Sequence, residues 1–274
     1  MNTRRVQVVA VTALTLALLI VVLAVSSVLR ANSFGLWQHR QQPIESAYIS
    51  PYDWKSLTHQ DGRFFYEQNG VVVSRFGIDV SEHQGVIDWN AVANDGVEFA
   101  FIRLGNRGYT EGGLRLDAQY PANIEGARVA GIKVGVYFFS QAINEDEARE
   151  EAEFVLEHLR GQPLDYPVVY DFETVEASEG RANHLSHQQT ASNARVFCER
   201  IEAGGYPTMI YSNMREIVRY DAELLANHEV WYAEYETMRP NGQFDFVIWQ
   251  FTSNGTITGI DKRVDLNIQF IATE

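Results

Sequence analysis

Pro167-Val168-Val169-Tyr170-Asp171-Phe172-Glu173 is a short apolar run that ends in two carboxylates one residue apart. It reads as a β-strand, and side chains alternate across a strand, so Asp171 and Glu173 point to the same side. Two acids held that close repel each other, which raises the pKa of one of them. A pair with split pKa values supplies one protonated acid and one ionised carboxylate near neutral pH. Asp-x-Glu alone is common and also fits the solvated end of a strand, so the surrounding chain has to decide.

Outward from this stretch the pattern alternates strand and helix. Strands are predicted at Phe76–Val80, Val97–Leu104, Ile132–Ser140, Tyr166–Phe172, Thr208–Tyr211, Glu229–Tyr235, Phe246–Phe251 and Val264–Phe270. The clearest helix runs from Glu145 to Arg160. Asn144 and Glu147 suit a capping box, Ala148, Ala152, Val155 and Leu159 form an apolar stripe, and Gly161 with Pro163 ends it. A second helix spans about Gln188 to Ala203, and a third is expected to start at Asn213 with Glu216 at its third position. Eight strands with interleaved helices predict an α/β fold, an irregular (β/α)8-like (TIM-type) barrel. A doubly wound open sheet is the alternative. From Glu229 onward there is no room for long helices, so the barrel should be irregular where it closes.

A barrel places its working groups at the C-terminal ends of its strands. Asp79 ends the first strand, Tyr137 and Phe139 the third, Asp171 and Glu173 the fourth, and Tyr211 the fifth. Trp231 and Tyr235 lie on the sixth strand, and Trp249 with Gln250 late on the seventh. Aromatic faces beside carboxylates are the composition of a carbohydrate cleft. Phe139, Trp231 and Trp249 are equally compatible with a core.

Composition narrows the setting. The 274 residues are 46% hydrophobic and 21% charged, enough for a sizeable core, and the formal net charge is −14 with no basic stripe. Nucleic acid is therefore not an expected partner. The lone cysteine, Cys198, sits on an apolar helical stripe with Ala194, Phe197 and Ile201 and reads as a buried thiol. His184 and His187 are the nearest approach to a metal motif and read as loop or helix-start residues. There is no His-Glu-x-x-His, Gly-x-Ser-x-Gly or phosphate loop, so no metal or other cofactor is expected.

The chain divides into three parts. Val6 to Leu29 is an almost unbroken apolar run preceded by Arg4 and Arg5. It is long enough for a membrane-spanning helix, which needs ~20 residues, and longer than the ~7–15 residues of a signal-peptide core. Residues 1–30 are therefore read as a transmembrane anchor, with a signal peptide as the rival. Either way the rest is exported, and the anchored reading gives a single-pass protein of the cell membrane with an extracytoplasmic domain. Residues 31–75 read as a stalk and a short β-hairpin, its turn at Asn69-Gly70. Residues 76–274 are the barrel.

Taken together the motifs resemble glycoside hydrolase family 25, the N-acetylmuramidase-type lysozymes. Gly77-Ile78-Asp79-Val80-Ser81, with Gln84-Gly85 and Ile87-Asp88-Trp89, is similar to the family's first strand and loop. Gly135 to Ser140 resembles its third strand, and Pro167 to Glu173 the strand bearing Asp-x-Glu. Ile210-Tyr211-Ser212-Asn213, Val230 to Tyr235, Ile248-Trp249-Gln250-Phe251, Gly259 and Val264-Asp265-Leu266-Asn267 resemble the rest, in order. The resemblance implies five βα units and three closing strands. It implies hydrolysis of the β-1,4 bond between N-acetylmuramic acid and N-acetylglucosamine in peptidoglycan glycan strands; separately from the resemblance, a monomer is expected. On the family pattern Glu173 is the general acid, Asp171 assists, and Asp79 and Asp265 complete an acidic cluster. Tyr137, Phe139, Tyr211, Trp231, Tyr235 and Gln250 are the expected sugar contacts.

Asp265 begins its strand, the wrong end for a parallel barrel, and the resemblance implies an antiparallel last strand that brings it to the top. The i and i+2 α-carbons of Asp171 and Glu173 are roughly 6.5–7 Å apart by strand rise, which leaves retaining, inverting and substrate-assisted routes open. Two departures touch sugar contacts: Phe138 follows Tyr137 where many members carry histidine, and Ile102-Arg103-Leu104-Gly105 replaces a Lys-Ala-Thr-Glu-Gly form. A tethered binder that no longer cuts, or another N-acetylhexosaminidase, are the competing readings.

Overall fold

The computed structural model describes residues 48–271, Ser178 apart. The expected anchor and most of the expected stalk lie outside these residues. Among those described, no helix is long and apolar enough to cross a membrane. From Ser50 onward the chain packs as one unit.

A small antiparallel sheet comes first: β1 (Leu57–Gln60), β2 (Arg63–Gln68) and β3 (Val71–Val72). Both of its turns pair a positive-φ residue with glycine, Asp61-Gly62 and Asn69-Gly70, the conformation that matches strand twist in a tight hairpin. Only the second turn was predicted.

The strands that follow are β4 (Ser74–Val80), β5 (Phe99–Arg107), β6 (Leu114–Leu116), β7 (Lys133–Ser140), β8 (Val168–Phe172), β9 (Thr208–Asn213), β10 (Glu229–Ala233), β11 (Ile248–Gly255) and β12 (Val264–Phe270). Eight of them close a barrel in the order β4-β5-β7-β8-β9-β10-β11-β12 and back to β4, with β6 an antiparallel flap on β5. All neighbours are parallel except β12, which runs antiparallel to both β11 and β4. The helices are α1 (Trp89–Asn94), α2 (Tyr120–Val129), α3 (Glu145–Leu159), α4 (His187–Ala203) and α5 (Ala222–Asn227). This gives five βα units and three closing strands, as expected.

The helix expected from Asn213 is absent. Asn213 ends β9, and its Oδ1 accepts from the amides of Arg215 and Glu216 at 2.9 and 3.1 Å. Those bonds close a local turn instead of starting a helix. The helix begins only at Ala222, where Asp221 caps the Leu224 amide at 2.8 Å.

Two apolar layers hold the barrel. Inside it, Phe101 stacks on Trp231 at 4.7 Å and Phe99 on Tyr166 at 5.0 Å. These rings need glycine across from them. A Cβ on Gly77 would lie 2.3 Å from Phe99 Cζ, and one on Gly135 2.5 Å from Phe101 Cε1. Outside, strand residues such as Phe138 and Tyr170 pack under α3 and α4 with Phe197 and the buried Cys198. Burial pushes that thiol up to about 12, so it is an inert core group.

β10 to β12 have no long helix to cover them, and the small sheet does so instead. Phe64 packs on Trp249 at 4.7 Å and on Phe251 at 5.1 Å, and Tyr66 on Phe270 at 5.4 Å. Tyr52 Oη donates to the Phe246 carbonyl at 2.7 Å. The hairpin is thus part of the barrel's outer layer. Trp249, which the sequence allowed at the cleft, belongs to this layer, with Nε1 donating to the Glu234 carbonyl at 2.9 Å.

Candidate active site

Four carboxyls meet at the C-terminal mouth of the parallel strands. Asp79 lies one residue before the end of β4. Asp265 is its register partner on β12, which the reversed direction of that strand brings to the mouth. Asp79 Oδ2 accepts from Gln250 Nε2 at 2.7 Å and Asn267 Nδ2 at 2.9 Å. Burial raises Asp79 to about 6. It raises Asp265 to about 9, with the Asp79 charge adding to it. Protonated Asp265 donates to ionised Asp79, so the pair shares one proton.

Asp171 is four-fifths of the way along β8. Burial, then the charges of Glu173 and Asp79, hold its carboxyl well above its ordinary range, while Arg103 acts the other way. Its Oδ1 is buried with no hydrogen-bond partner among the described residues. Glu173 stands one residue past the strand. Burial, then the charges of Glu216 and Asp79, push it up to about 7, opposed by a bond from Asn213 Nδ2 to Oε2 at 3.2 Å. Low dielectric and like charge both favour the neutral acid here.

These acids floor a cleft of about 510 Å³. Tyr137 and Phe139 of β7, Tyr211 of β9, and Trp231, Tyr235 and Gln250 of the closing segments also line it. They are not equally available. Trp231 is only 2% exposed, with Nε1 bonded to Asn267 Oδ1 at 2.8 Å, and serves as floor. Gln250 is occupied internally: Tyr211 and Tyr235 donate to its Oε1 at 2.9 and 2.6 Å while its amide holds Asp79. Tyr235 is 41% exposed and offers an open ring face. Among the described residues no group of three His, Cys, Asp or Glu side chains is arranged to hold a metal ion.

Several site residues were not singled out from the sequence. Asn213 and Asn267 follow Tyr211 and Asp265 by two, so strand alternation alone turns them inward. Tyr109, from the loop between β5 and β6, is a cleft residue 47% exposed. Arg103 lines the cleft too, its Nε on buried Asp117 at 2.8 Å and Nη2 within 3.3 Å of Glu82. Glu216 is buried against Arg219 at 2.7 Å and accepts from the Thr174 amide at 3.2 Å. Nothing local in the sequence marks Glu216 as internal.

An acid-rich cleft at the mouth of a barrel closed by one antiparallel strand defines a class, the glycoside hydrolases. The family model for glycosyl hydrolases family 25 matches residues 78–260, and the chain belongs to that family. It is 30% identical over 191 residues to the autolytic lysozyme of Clostridium acetobutylicum, covering 70% of this chain and 54% of that protein. Among solved structures it is similar to the modular autolysin LytC of Streptococcus pneumoniae (TM-score 0.62, 26% identity, 78% of this chain and 52% of that one). It is also similar to a bacterial lysozyme of Streptomyces coelicolor (TM-score 0.62, 25% identity, 73% and 93%). The chain spans about half the length of the first two.

Proposed function

We propose that this protein hydrolyses the β-1,4 bond between N-acetylmuramic acid and N-acetylglucosamine in peptidoglycan, with Glu173 as general acid and Asp171 assisting. The observation that carries the reading is the state of Glu173: a carboxyl at the cleft, raised to about 7, and so about half protonated at neutral pH, where an ordinary carboxyl is ionised. Glycosidic cleavage needs a proton on the leaving oxygen and negative charge near the oxocarbenium-like centre. Glu173 supplies the first, and ionised Asp79 is the nearby source of the second.

A substrate-assisted route fits the unpartnered Asp171 Oδ1. The 2-acetamido N–H of the sugar donates to it, and the acetamido oxygen attacks the anomeric carbon as Glu173 protonates the departing oxygen. Ionised Glu173 then takes a proton from water, which opens the cyclic intermediate with net retention. Tyr235, Tyr137 and Phe139 present ring faces to the sugars, while Trp231, Tyr211 and Gln250 shape the floor. The apolar run Val6 to Leu29 supports a membrane-tethered, extracytoplasmic placement and local wall remodelling.

The test is digestion of purified peptidoglycan, with new reducing ends identified by borohydride reduction and mass analysis. New ends on muramic acid are expected, reduced at least ~10²-fold in Glu173→Gln, the usual size of a general-acid contribution. Ends on glucosamine would make the enzyme a glucosaminidase. No ends, with binding retained, would make it a tethered binder.

A further inference from the structure

Glu173 lies outside the strand ladder that fixes its neighbours. The β7–β8 register runs to Ser140 opposite Phe172, so the next pair, Gln141 opposite Glu173, has no main-chain rung. A side chain makes that rung instead: Gln141 Nε2 donates to the Glu173 carbonyl at 2.8 Å. Because that partner is an acceptor, the amide orientation of Gln141 is fixed. Its Oε1 is left buried with no partner among the described residues.

Gln141 is itself clamped at both main-chain groups. Its amide donates to Glu151 Oε1 at 3.3 Å, and its carbonyl accepts from Arg181 Nη1 at 3.1 Å. Glu151 is an acid inside the apolar stripe of α3, fully buried, and it also accepts from Arg107 Nε at 2.8 Å and Ser140 Oγ at 2.6 Å. The Arg107 guanidinium continues to the Gly112 and Glu147 carbonyls at 2.7 and 2.9 Å. Arg181 comes from the same loop as Glu173 and grips Glu147 with both terminal nitrogens, at 2.6 and 2.8 Å. A buried ion pair gives little net stability relative to apolar packing, so stability alone does not account for this assembly. What it fixes is the position of one backbone segment.

We propose that Gln141 is a positioning residue for Glu173, its side chain replacing the missing strand rung, with Glu151 and Arg181 holding Gln141 in place. This deepens the proposed function and rests on Glu173 being its proton donor. A shift of about 1 Å in a reacting group can cost ~10²-fold in rate, and the rung sits one peptide from the Glu173 side chain.

The experiment compares Gln141→Met, Gln141→Asn and Glu173→Gln with the unaltered full-length protein on soluble uncrosslinked peptidoglycan strands. Gln141→Met keeps the volume, loses the donor and also removes the unpartnered Oε1, so a folded protein is expected; thermal melting checks it. The expected result is kcat lowered about 10–100-fold with KM within about 3-fold. Gln141→Asn keeps the donor on a shorter arm and should recover part of kcat. If Gln141→Met is folded and keeps its kcat while Glu173→Gln is inactive, the positioning role is overturned and the acid role stands. If kcat falls only by the factor by which the folded fraction falls, with KM unchanged, the role is merely structural and the inference fails. If Glu173→Gln keeps full activity, the reading of Glu173 as acid fails first.

Discussion

Replacing Asp265 by asparagine should stabilise the protein, and by an amount that depends on pH in a defined direction. Asp265 titrates near 3.8 when solvated and at about 9 in the fold, because burial and the Asp79 charge penalise its ionised form. Such a group holds its full share of stability below its unfolded pKa and loses it as pH rises toward the folded one. At pH 7 the unfolded chain gains by ionising and the native one does not. The difference is about 3 units, or about 4 kcal/mol at 1.36 kcal/mol per unit. Asparagine does not ionise, and its amide can still donate to Asp79 as the protonated acid does. Allowing for imperfect replacement of that bond, a gain of roughly 2–3 kcal/mol at pH 7 is expected. For a domain of this size that raises Tm by roughly 4–12 °C. Calorimetry of Asp265→Asn and the unaltered protein at pH 3 and pH 7.5 decides it. The gain should be large at the higher pH and nearly absent at the lower. Equal gains at both values, or a loss at pH 7.5, would refute the reasoning that the Asp79–Asp265 pair shares one proton.

Two further outcomes follow from the geometry. Activity should fall on the alkaline side with a midpoint near 7, where Glu173 loses its proton; removing the stabilising donor in Asn213→Ala should move that midpoint up by about half to one unit, the size of one modest hydrogen bond, and a downward move in the pH profile would contradict it. Phe64→Ala should cost about 3–5 kcal/mol and lower the melting of the whole domain in one transition, because Phe64 is packed between the small sheet and the outer face of β11; a separate early transition in calorimetry would show the sheet to be independent.

Much of this was legible in the sequence because strand alternation is a strong constraint. Once Val168 to Phe172 is a strand, Asp171 faces inward with Val169, and once β12 is antiparallel, Asp265 meets Asp79. The missing late helices were visible as short gaps, and the barrel does close with bare strands there. What covers those strands was not visible, since the contacts of Tyr52, Phe64 and Tyr66 span nearly 200 residues of chain. The turn at Asn213 shows a different limit. Asparagine followed three residues on by glutamate is a helix start or a local turn, and the outcome depends on Glu216 being drawn inward by Thr174 and Arg219. Glu151 was unreadable for a similar reason. It stands in an apolar stripe where a carboxylate looks exposed until Arg107 arrives from another strand.

The reversed last strand has a mechanical consequence. β12 ends at Phe270 opposite Ser74, where β4 begins, and Tyr52 bonds to Phe246 just before β11. The described chain therefore comes in and goes out at one pole, and the cleft opens at the other. In this fold one antiparallel strand both supplies the fourth carboxylate and returns the described chain to the pole where it entered.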